Sequence, residues 1–414
     1  MNYTKSNDTS PHNQLKRTLT LTYVVLYGLG VTVGAGIYVL LGEVIARSGN
    51  FAPMSFLIAG FVMLMPAACF AELTGRMPYA AAEAHFVGTG FKSSKLFLLV
   101  GLAVAVVGLV SSAAIAHGAV GYLSQLIDWP AIVLLILVII ATGIISGVDI
   151  RNSIAMAGLL TLIEVGGLLS IVLGSIWAGN DLGAQAIKAV PTSMSPVIWS
   201  GIAASSLLAF FAFIGFEDID SIAEETVNPQ KTLSRGIFIT LFLTVLIYVI
   251  VILAALAAVP ISEITGSSAP LTIVFAETTA FSPLIITLIA IVATVNGIIV
   301  QLIMSSRVLY GLANRGSLPK VLAEIHPATN TPLIATGLSV ILVLGLAIAF
   351  PIDRLAEWTS AITLTIFILV CAALILIKKD GKPAPTGTFV VPVWVPYAGI
   401  FACAALLLTG LLSG

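Results

Sequence analysis

The chain alternates long apolar runs with short polar interruptions over nearly its whole length. A helix rises 1.5 Å per residue, so about 20 apolar residues cross ~30 Å of hydrocarbon. By that measure the pattern predicts about eleven membrane-spanning helices, near residues 19–46, 51–74, 95–127, 130–148, 153–179, 197–225, 234–259, 282–312, 331–350, 354–377 and 392–413. Residues 271–280 form a further short apolar piece before the eighth span. The runs are continuous and lack the alternating lipid-out, lumen-in period of a strand barrel. The loops are too short for a second domain, so the expectation is a single all-α integral membrane bundle.

Composition sharpens this picture. Of 414 residues, 59% are hydrophobic and 9% charged, against roughly 25% charged in a soluble domain. The chain cannot cover an ordinary water-facing surface, so its solvent, and its first partner, is the lipid bilayer. The net charge of −1 gives no field to recruit nucleic acid. Cys69, Cys371 and Cys403 all sit inside apolar runs, the usage of small buried hydrophobes and not of a disulfide frame or zinc site. The polar segment 1–18 lacks the short apolar stretch and cleavage site of a signal peptide and reads as a tail leading into a retained span.

Lys and Arg placement sets the orientation. With the N-terminus cytoplasmic, fifteen Lys and Arg residues fall in inside segments, and only Arg47, Lys188 and Arg354 fall outside. The expected address is a cell (inner) membrane, crossed many times.

Two spans carry interruptions. The first reads Gly28-Leu29-Gly30-Val31-Thr32-Val33-Gly34-Ala35-Gly36-Ile37-Tyr38, with Gly34-Ala35-Gly36 near mid-membrane. Small residues there serve either close helix packing or an unwound turn. About 180 residues later, the sixth span reads Phe210-Phe211-Ala212-Phe213-Ile214-Gly215-Phe216-Glu217-Asp218, then Glu224-Glu225-Thr226-Val227-Asn228-Pro229. Broken helices at corresponding places in two halves point to a transporter site. An unwound turn frees N–H groups for a carboxylate and carbonyls for an ammonium, which together suit a zwitterionic amino acid.

These residues resemble the amino acid–polyamine–organocation (APC) permeases. Gly30 to Tyr38 is similar to the family's G-x-x-x-G-x-G-I-[FY] signature, and Phe211 to Pro229 to F-A-[FY]-x-G-F…E-E-x-x-N-P. Ser306-Arg307-Val308-Leu309-Tyr310 through Gly316-Ser317-Leu318-Pro319 to His326-Pro327 is a third match, and the resemblance covers about residues 20–400. It implies a LeuT-type fold, a 5+5 inverted-repeat helical bundle with discontinuous helices 1 and 6. On that reading 19–390 is a ten-helix transport core, with repeats about 19–179 and 197–378. Residues 391–414 add a C-terminal transmembrane helix. Most members have about twelve spans, against eleven here. Many also carry a Gly-Gly pair after the second span, where this chain has Pro78-Tyr79-Ala80-Ala81-Ala82, so that loop is expected to be more helical. The resemblance leaves the oligomeric state open.

By position in the family, Val33, Gly34, Ala35, Gly36 and Ile37 would supply main-chain donors to a substrate carboxylate. Carbonyls near Thr32, Phe211 and Ile214 would take the amine, within the stretch that includes Ala212 and Phe213. Phe216 would be an aromatic gate. The resemblance implies an amino-acid substrate and alternating access; no cofactor is expected, and the proton, acting through Glu164, is the expected coupling ion.

Ionisable groups inside spans add candidates. Glu164 lies near the midplane of the fifth span, where an acidic side chain costs about 2.5–3.5 kcal/mol to insert. It reads as a proton-coupling group, a holder of a bound cation, or a neutral structural carboxyl. In several proton-coupled relatives a lysine occupies this region, so the charge type is reversed here. Glu217 matches a glutamate that affects substrate amines or pH response in diamine and arginine exchangers of the family. That makes amino acid/polyamine exchange or export the alternative function. Glu217 also reads as a helix-end carboxylate wetted by the inner vestibule. Asp218, Asp220, Glu224 and Glu225 are expected to pair with Arg235 or Lys231. His117, Thr294 and Asn296 are further coupling candidates, each also readable as a packing residue. A membrane enzyme would need paired catalytic groups, and the sequence has no H-E-x-x-H, no G-x-S-x-G and no pair of intramembrane aspartates. A channel would want a continuous polar pore. Gly88-Thr89-Gly90-Phe91-Lys92-Ser93 fails the phosphate-loop spacing, so ATP is not expected.

Overall fold

The computed structural model describes residues 17–77, 82–148, 154–381 and 383–413. The loop expected to be more helical after Pro78 begins outside the described residues, and helix resumes at Ala82. Seven stretches are long and apolar enough to cross a membrane. The first of them, Leu21–Arg76, holds two helices, and three shorter apolar helices bring the described total to eleven.

In chain order the elements are α1 (Leu21–Ser48), α2 (Ala52–Arg76), the short α3 (Ala82–Gly90), α4 (Ser94–Leu123), α5 (Ala131–Gly147) and α6 (Ile154–Trp177). Then come a short α7 (Leu182–Lys188), α8 (Pro196–Phe211), a 3₁₀ segment at Phe216–Glu225 and α9 (Pro229–Ala258). Two short helices, α10 (Ile261–Thr265) and α11 (Pro270–Thr278), precede α12 (Leu284–Asn314), α13 (Leu333–Ala349), α14 (Ile352–Lys379) and α15 (Trp394–Ser413). The short helices stand at matching places in the two halves. α3 separates the second and third spans, and α10 with α11 separates the seventh and eighth.

Helices are the only open-ended elements lipid tolerates, because each satisfies its own backbone. Large apolar side chains such as Ile144, Leu173, Phe242 and Ile341 therefore stay exposed to the surrounding hydrocarbon. Small residues line the seams between helices. The hydroxyl of Ser305 on α12 donates to Ala105 O on α4 at 3.1 Å, and an added Cβ on Gly101 of α4 would already touch Leu312 on α12.

Of the two interruptions the sequence predicts, the sixth-span one is present. α8 stops at Phe211, Gly215 takes φ +121°, and a 3₁₀ segment follows. An added Cβ at Gly215 would lie 3.0 Å from Val31 O, so both dihedral and clearance require glycine. The chain then enters α9 through Asn228 at φ 50° and Pro229 at the first helical position, where a missing N–H costs nothing. The residues just before α1 are fastened to this corner: Thr18 and Leu19 N–H donate to Glu225 O, and Val227 N–H donates to Leu19 O.

The first span differs from its prediction. α1 is helical from Leu21 to Ser48, through Gly34-Ala35-Gly36, without a break. Its glycines serve close approach. A Cβ on Gly36 would stand 2.6 Å from Ala212 Cα, and one on Gly297 of α12 would stand 3.0 Å from Ala35 Cβ. The helix stays wound because tight packing along this stripe rewards an intact ladder.

Candidate functional site

The middle of α1 meets the break of the sixth span at the centre of the bundle. Three tyrosines, each fully buried, organise the junction through main-chain carbonyls. Tyr248 Oη on α9 lies 2.8 Å from Thr32 O and 2.7 Å from Ala212 O, its single proton serving either, and so ties α1 to the break. Tyr38 donates to Glu164 O at 2.7 Å, and Tyr122 donates to Tyr38 O at 2.8 Å. Sequence reasoning missed all three. A tyrosine inside an apolar span must find an acceptor for its hydroxyl, and that requirement was the available signal.

Glu164 is 1% exposed, and its Oε1 has no hydrogen-bond partner within the protein. Its Oε2 faces α1, 3.8 Å from where a Cβ on Gly34 would stand. Thr32 Oγ1 is likewise buried and unpartnered. The structure thus brings Thr32, Gly34, Gly36, Ala212 and Glu164 to one place. Val33, Ala35 and Ile37 are buried beside them, but the amides of this stretch lie inside a continuous helix and are not presented as free donors. Phe211 O is taken by Ile214 N–H at 3.2 Å, which closes the turn after α8. Phe213 packs with Phe56 and Tyr248, at ring centroid distances of 6.1 and 5.2 Å. Phe216 is fully buried edge-on against Phe70 and Phe367, at 5.7 Å from each.

Other candidates fall outside this centre. His117 Nε2 lies 3.0 Å from Ala347 O and 3.2 Å from Phe350 O, where it caps the end of α13. Thr294 donates back to Ala290 O on its own helix at 2.8 Å, and Asn296 is half-buried nearby on α12. Asp220 does not pair with Arg235 or Lys231: it accepts from Thr74 Oγ1 at 2.6 Å. Of the remaining acidic residues, the side chain of Glu224 lies outside what is described.

Glu217 lies just past the break. Its carboxylate accepts from Gly215 N–H at 2.9 Å, bracing the break, and it lines a narrow cleft with Glu83, Asp218, Gln301, Thr363 and Phe367. Burial pushes the Glu83 carboxyl on α3 above the usual carboxylate range.

A second ionic group lies where α2 ends. Glu72 is fully buried and takes Arg76 at 2.8 Å, Lys378 Nζ at 2.8 Å and Val391 N–H at 2.8 Å. It joins α2 to the end of α14 and the segment entering α15. At the opposite end Arg47 of α1 pairs with Asp353 and Glu357 of α14.

A family model described as amino acid permease matches residues 17–413. The chain belongs to the amino acid permease family. It is 30% identical to the vacuolar cationic amino acid transporter 2 of Arabidopsis thaliana, over 92% of this chain and 63% of that one. It is 26% identical to the branched-chain amino acid permease BcaP of Bacillus subtilis (strain 168), over 97% of this chain and 89% of that one. The chain spans 63–65% of the length of three Arabidopsis cationic transporters that it matches. In fold it is similar to the Eremococcus coleocola manganese transporter, with a TM-score of 0.68 at 12% identity, over 95% of this chain and 86% of that one. The architecture of the permease is therefore the LeuT-type helical bundle that the sequence motifs implied.

Proposed function

We propose that this permease moves amino acids across a membrane by alternating access, coupled to the proton through Glu164. The observation that carries the reading is a buried carboxyl with an unpartnered oxygen, set against the midpoint of α1 beside the break in the sixth span. A carboxyl in that position gains or loses a proton with little else to compensate it, so its charge state and the packing of α1 are linked. The α1–α8 contact is a joint of main chain and small residues fastened by one hydroxyl, a contact able to open and re-form without rebuilding a core. The distribution of Lys and Arg supports an orientation in a cell membrane with the Lys/Arg-rich end, and with it the N-terminus, facing the cytoplasm.

Reconstituted in liposomes, the protein is expected to accumulate one class of radiolabelled amino acid under an inward proton gradient and to stop when the gradient is removed. Glu164→Gln, which keeps shape and removes the titration, is expected to abolish the pH dependence of uptake. A Glu164→Gln protein with the parent's pH profile overturns the coupling assignment. Exchange is the second reading, favoured by the acidic residues around Glu217. Uptake seen only into preloaded liposomes, whatever the gradient, would establish it.

A further inference from the structure

The segment joining α14 to α15 crosses the bundle end where α2 stops and α9 begins. Thr388 Oγ1 donates to Gly75 O on α2 at 3.2 Å, and Val391 N–H donates to Glu72 Oε2 at 2.8 Å. The ring of Phe389 stands edge-on to Phe238 of α9, with centroids 5.3 Å apart. Gly387, at φ +88°, passes so near α9 that a Cβ there would touch Lys231 Cε at 3.6 Å. Residues 387–391 therefore lie on α2 and α9, although α14 is their neighbour along the chain. The end of α14 reaches them through one side chain. Lys378 Nζ donates to Val391 O and lies 2.8 Å from Glu72 Oε2.

The carboxylate of Glu72 divides its two oxygens. Oε1 takes Nε and Nη2 of Arg76, one turn on in α2, at 2.9 and 2.8 Å, and Oε2 takes Lys378 and Val391 N–H. A buried carboxylate stripped of its last cation is costly. Arg76 travels with Glu72 on the same helix, so Lys378 can leave without creating that state. Its long stem lets the freed ammonium reach water at the bundle end. Deeper in the bundle the contact between α2 and α14 carries no charge: Phe70 and Phe367 meet edge-on at 5.2 Å, and Cys371 meets Cys69 thiol to thiol. The other attachments of the two helices lie on opposite sides. On α2, Ala71 O accepts from Ser234 of α9 at 3.0 Å, and Thr74 donates to Asp220 of the 3₁₀ segment at 2.6 Å. α14 packs instead on α3 and α4, and Asp380 just past its end pairs with Lys92, between those helices, at 2.8 Å.

We propose that residues 387–391 are a strap that fixes the start of α15 to α2 and α9 as one body, and that Lys378 is a releasable pin holding the end of α14 to that body. Release of the pin frees one end of α14 only, since Asp353 and Glu357 hold its other end to Arg47 of α1. The use of this motion in alternating access rests on the transport reading above; the strap and the pin as attachments do not.

The first test is a disulfide placed inside the body, in the full chain in proteoliposomes. A Cβ on Gly75 would stand 3.4 Å from Thr388 Cβ, close to the ~3.5–4.5 Å separation of a disulfide. The Thr388 methyl that would crowd that Cβ at 2.6 Å is lost in the same variant. Gly75→Cys/Thr388→Cys is expected to cross-link on oxidation with copper phenanthroline and to take up amino acid equally well oxidised or reduced. Uptake lost on oxidation and regained on reduction overturns the strap, because the segment would then have to leave α2 in each cycle. Failure of the folded variant to cross-link overturns the placement of the strap. The second measurement is hydrogen–deuterium exchange of Lys378→Met in lipid nanodiscs. Exchange over 372–379 is expected to rise about tenfold or more, while 387–391 keeps its protection through Val391 N–H on Glu72. Lys379→Met, which removes the neighbouring charge, is expected to leave both segments unchanged. A rise in both segments of Lys378→Met, a rise in neither, or an equal rise with Lys379→Met overturns the pin. A parent protein that takes up no amino acid overturns the transport reading, and cross-linking and exchange then decide the strap and the pin by themselves.

Discussion

Tyr248→Phe isolates the fastening between α1 and the sixth-span break. The substitution removes one oxygen and keeps the ring, which packs at 5.5 Å from Phe56 and 5.2 Å from Phe213. No cavity forms, so the effect is that of the hydroxyl alone. That hydroxyl lies 2.8 Å from Thr32 O and 2.7 Å from Ala212 O in a fully buried setting. Thr32 O belongs to the ladder of α1, but Ala212 lies past the last turn of α8, where the ladder has ended. Removing the donor leaves a buried carbonyl poorly satisfied, at a cost of about 1–3 kcal/mol. If the bond exists only while the two elements are joined, that cost shifts the joined population by about 5- to 150-fold. Hydrogen–deuterium exchange reads this directly. Segments 31–37 and 211–215 are expected to lose protection by about that factor, while distant segments such as 131–147 keep theirs. Unchanged protection in both segments of a folded Tyr248→Phe protein would refute the reasoning, because the hydroxyl would then not be holding them together.

Four further outcomes follow from the same structure. Lys378→Met is expected to lower stability by about 1.5–3 kcal/mol, the worth of a hydrogen bond to a charged group, because Glu72 keeps Arg76 and Val391 N–H. Glu72→Gln, which removes the carboxylate that two largely buried cations share, is expected to cost about 3–5 kcal/mol. Equilibrium unfolding in mixed micelles measures both, and equal effects would show that Glu72 is not the hub. Gly36→Ala is expected to cost about 1–3 kcal/mol and to slow uptake, since its Cβ would press on the main chain of Ala212. Gly166→Ala on α6, with nothing within 4 Å of the new methyl, is the matched control and is expected to be neutral or slightly stabilising in the same unfolding assay.

What the sequence by itself determined is what depends on neighbours along the chain. The eleven apolar helices among the described residues, and their approximate limits, were legible because lipid forces each crossing segment to satisfy its own backbone over a fixed thickness, and apolar length alone reports that. The break after Phe211 was legible for a related reason: Gly215, with Glu217 and Asp218 within three residues of it, cannot continue as a lipid-facing helix.

The first span shows where local information stops. Gly34-Ala35-Gly36 permits either an open turn or a close contact, and the choice was made by Ala212 and Gly297, which lie far away in sequence. The ionisable residues divide the same way. Glu164 was visible as a carboxyl in an apolar run, but only packing placed it against Gly34 with an unpartnered oxygen. Glu72 was equally visible and went unremarked, since its partner Lys378 lies about 300 residues on. His117 could be read as a relay until α13 brought two carbonyls to its ring. Glu83 carried no signal at all within its short interhelical segment. Its surroundings are fixed only because α3 folds against α4 and α14 and brings Glu83 into one cleft with Glu217 and Asp218, and a carboxylate's chemistry is set by what surrounds it in space.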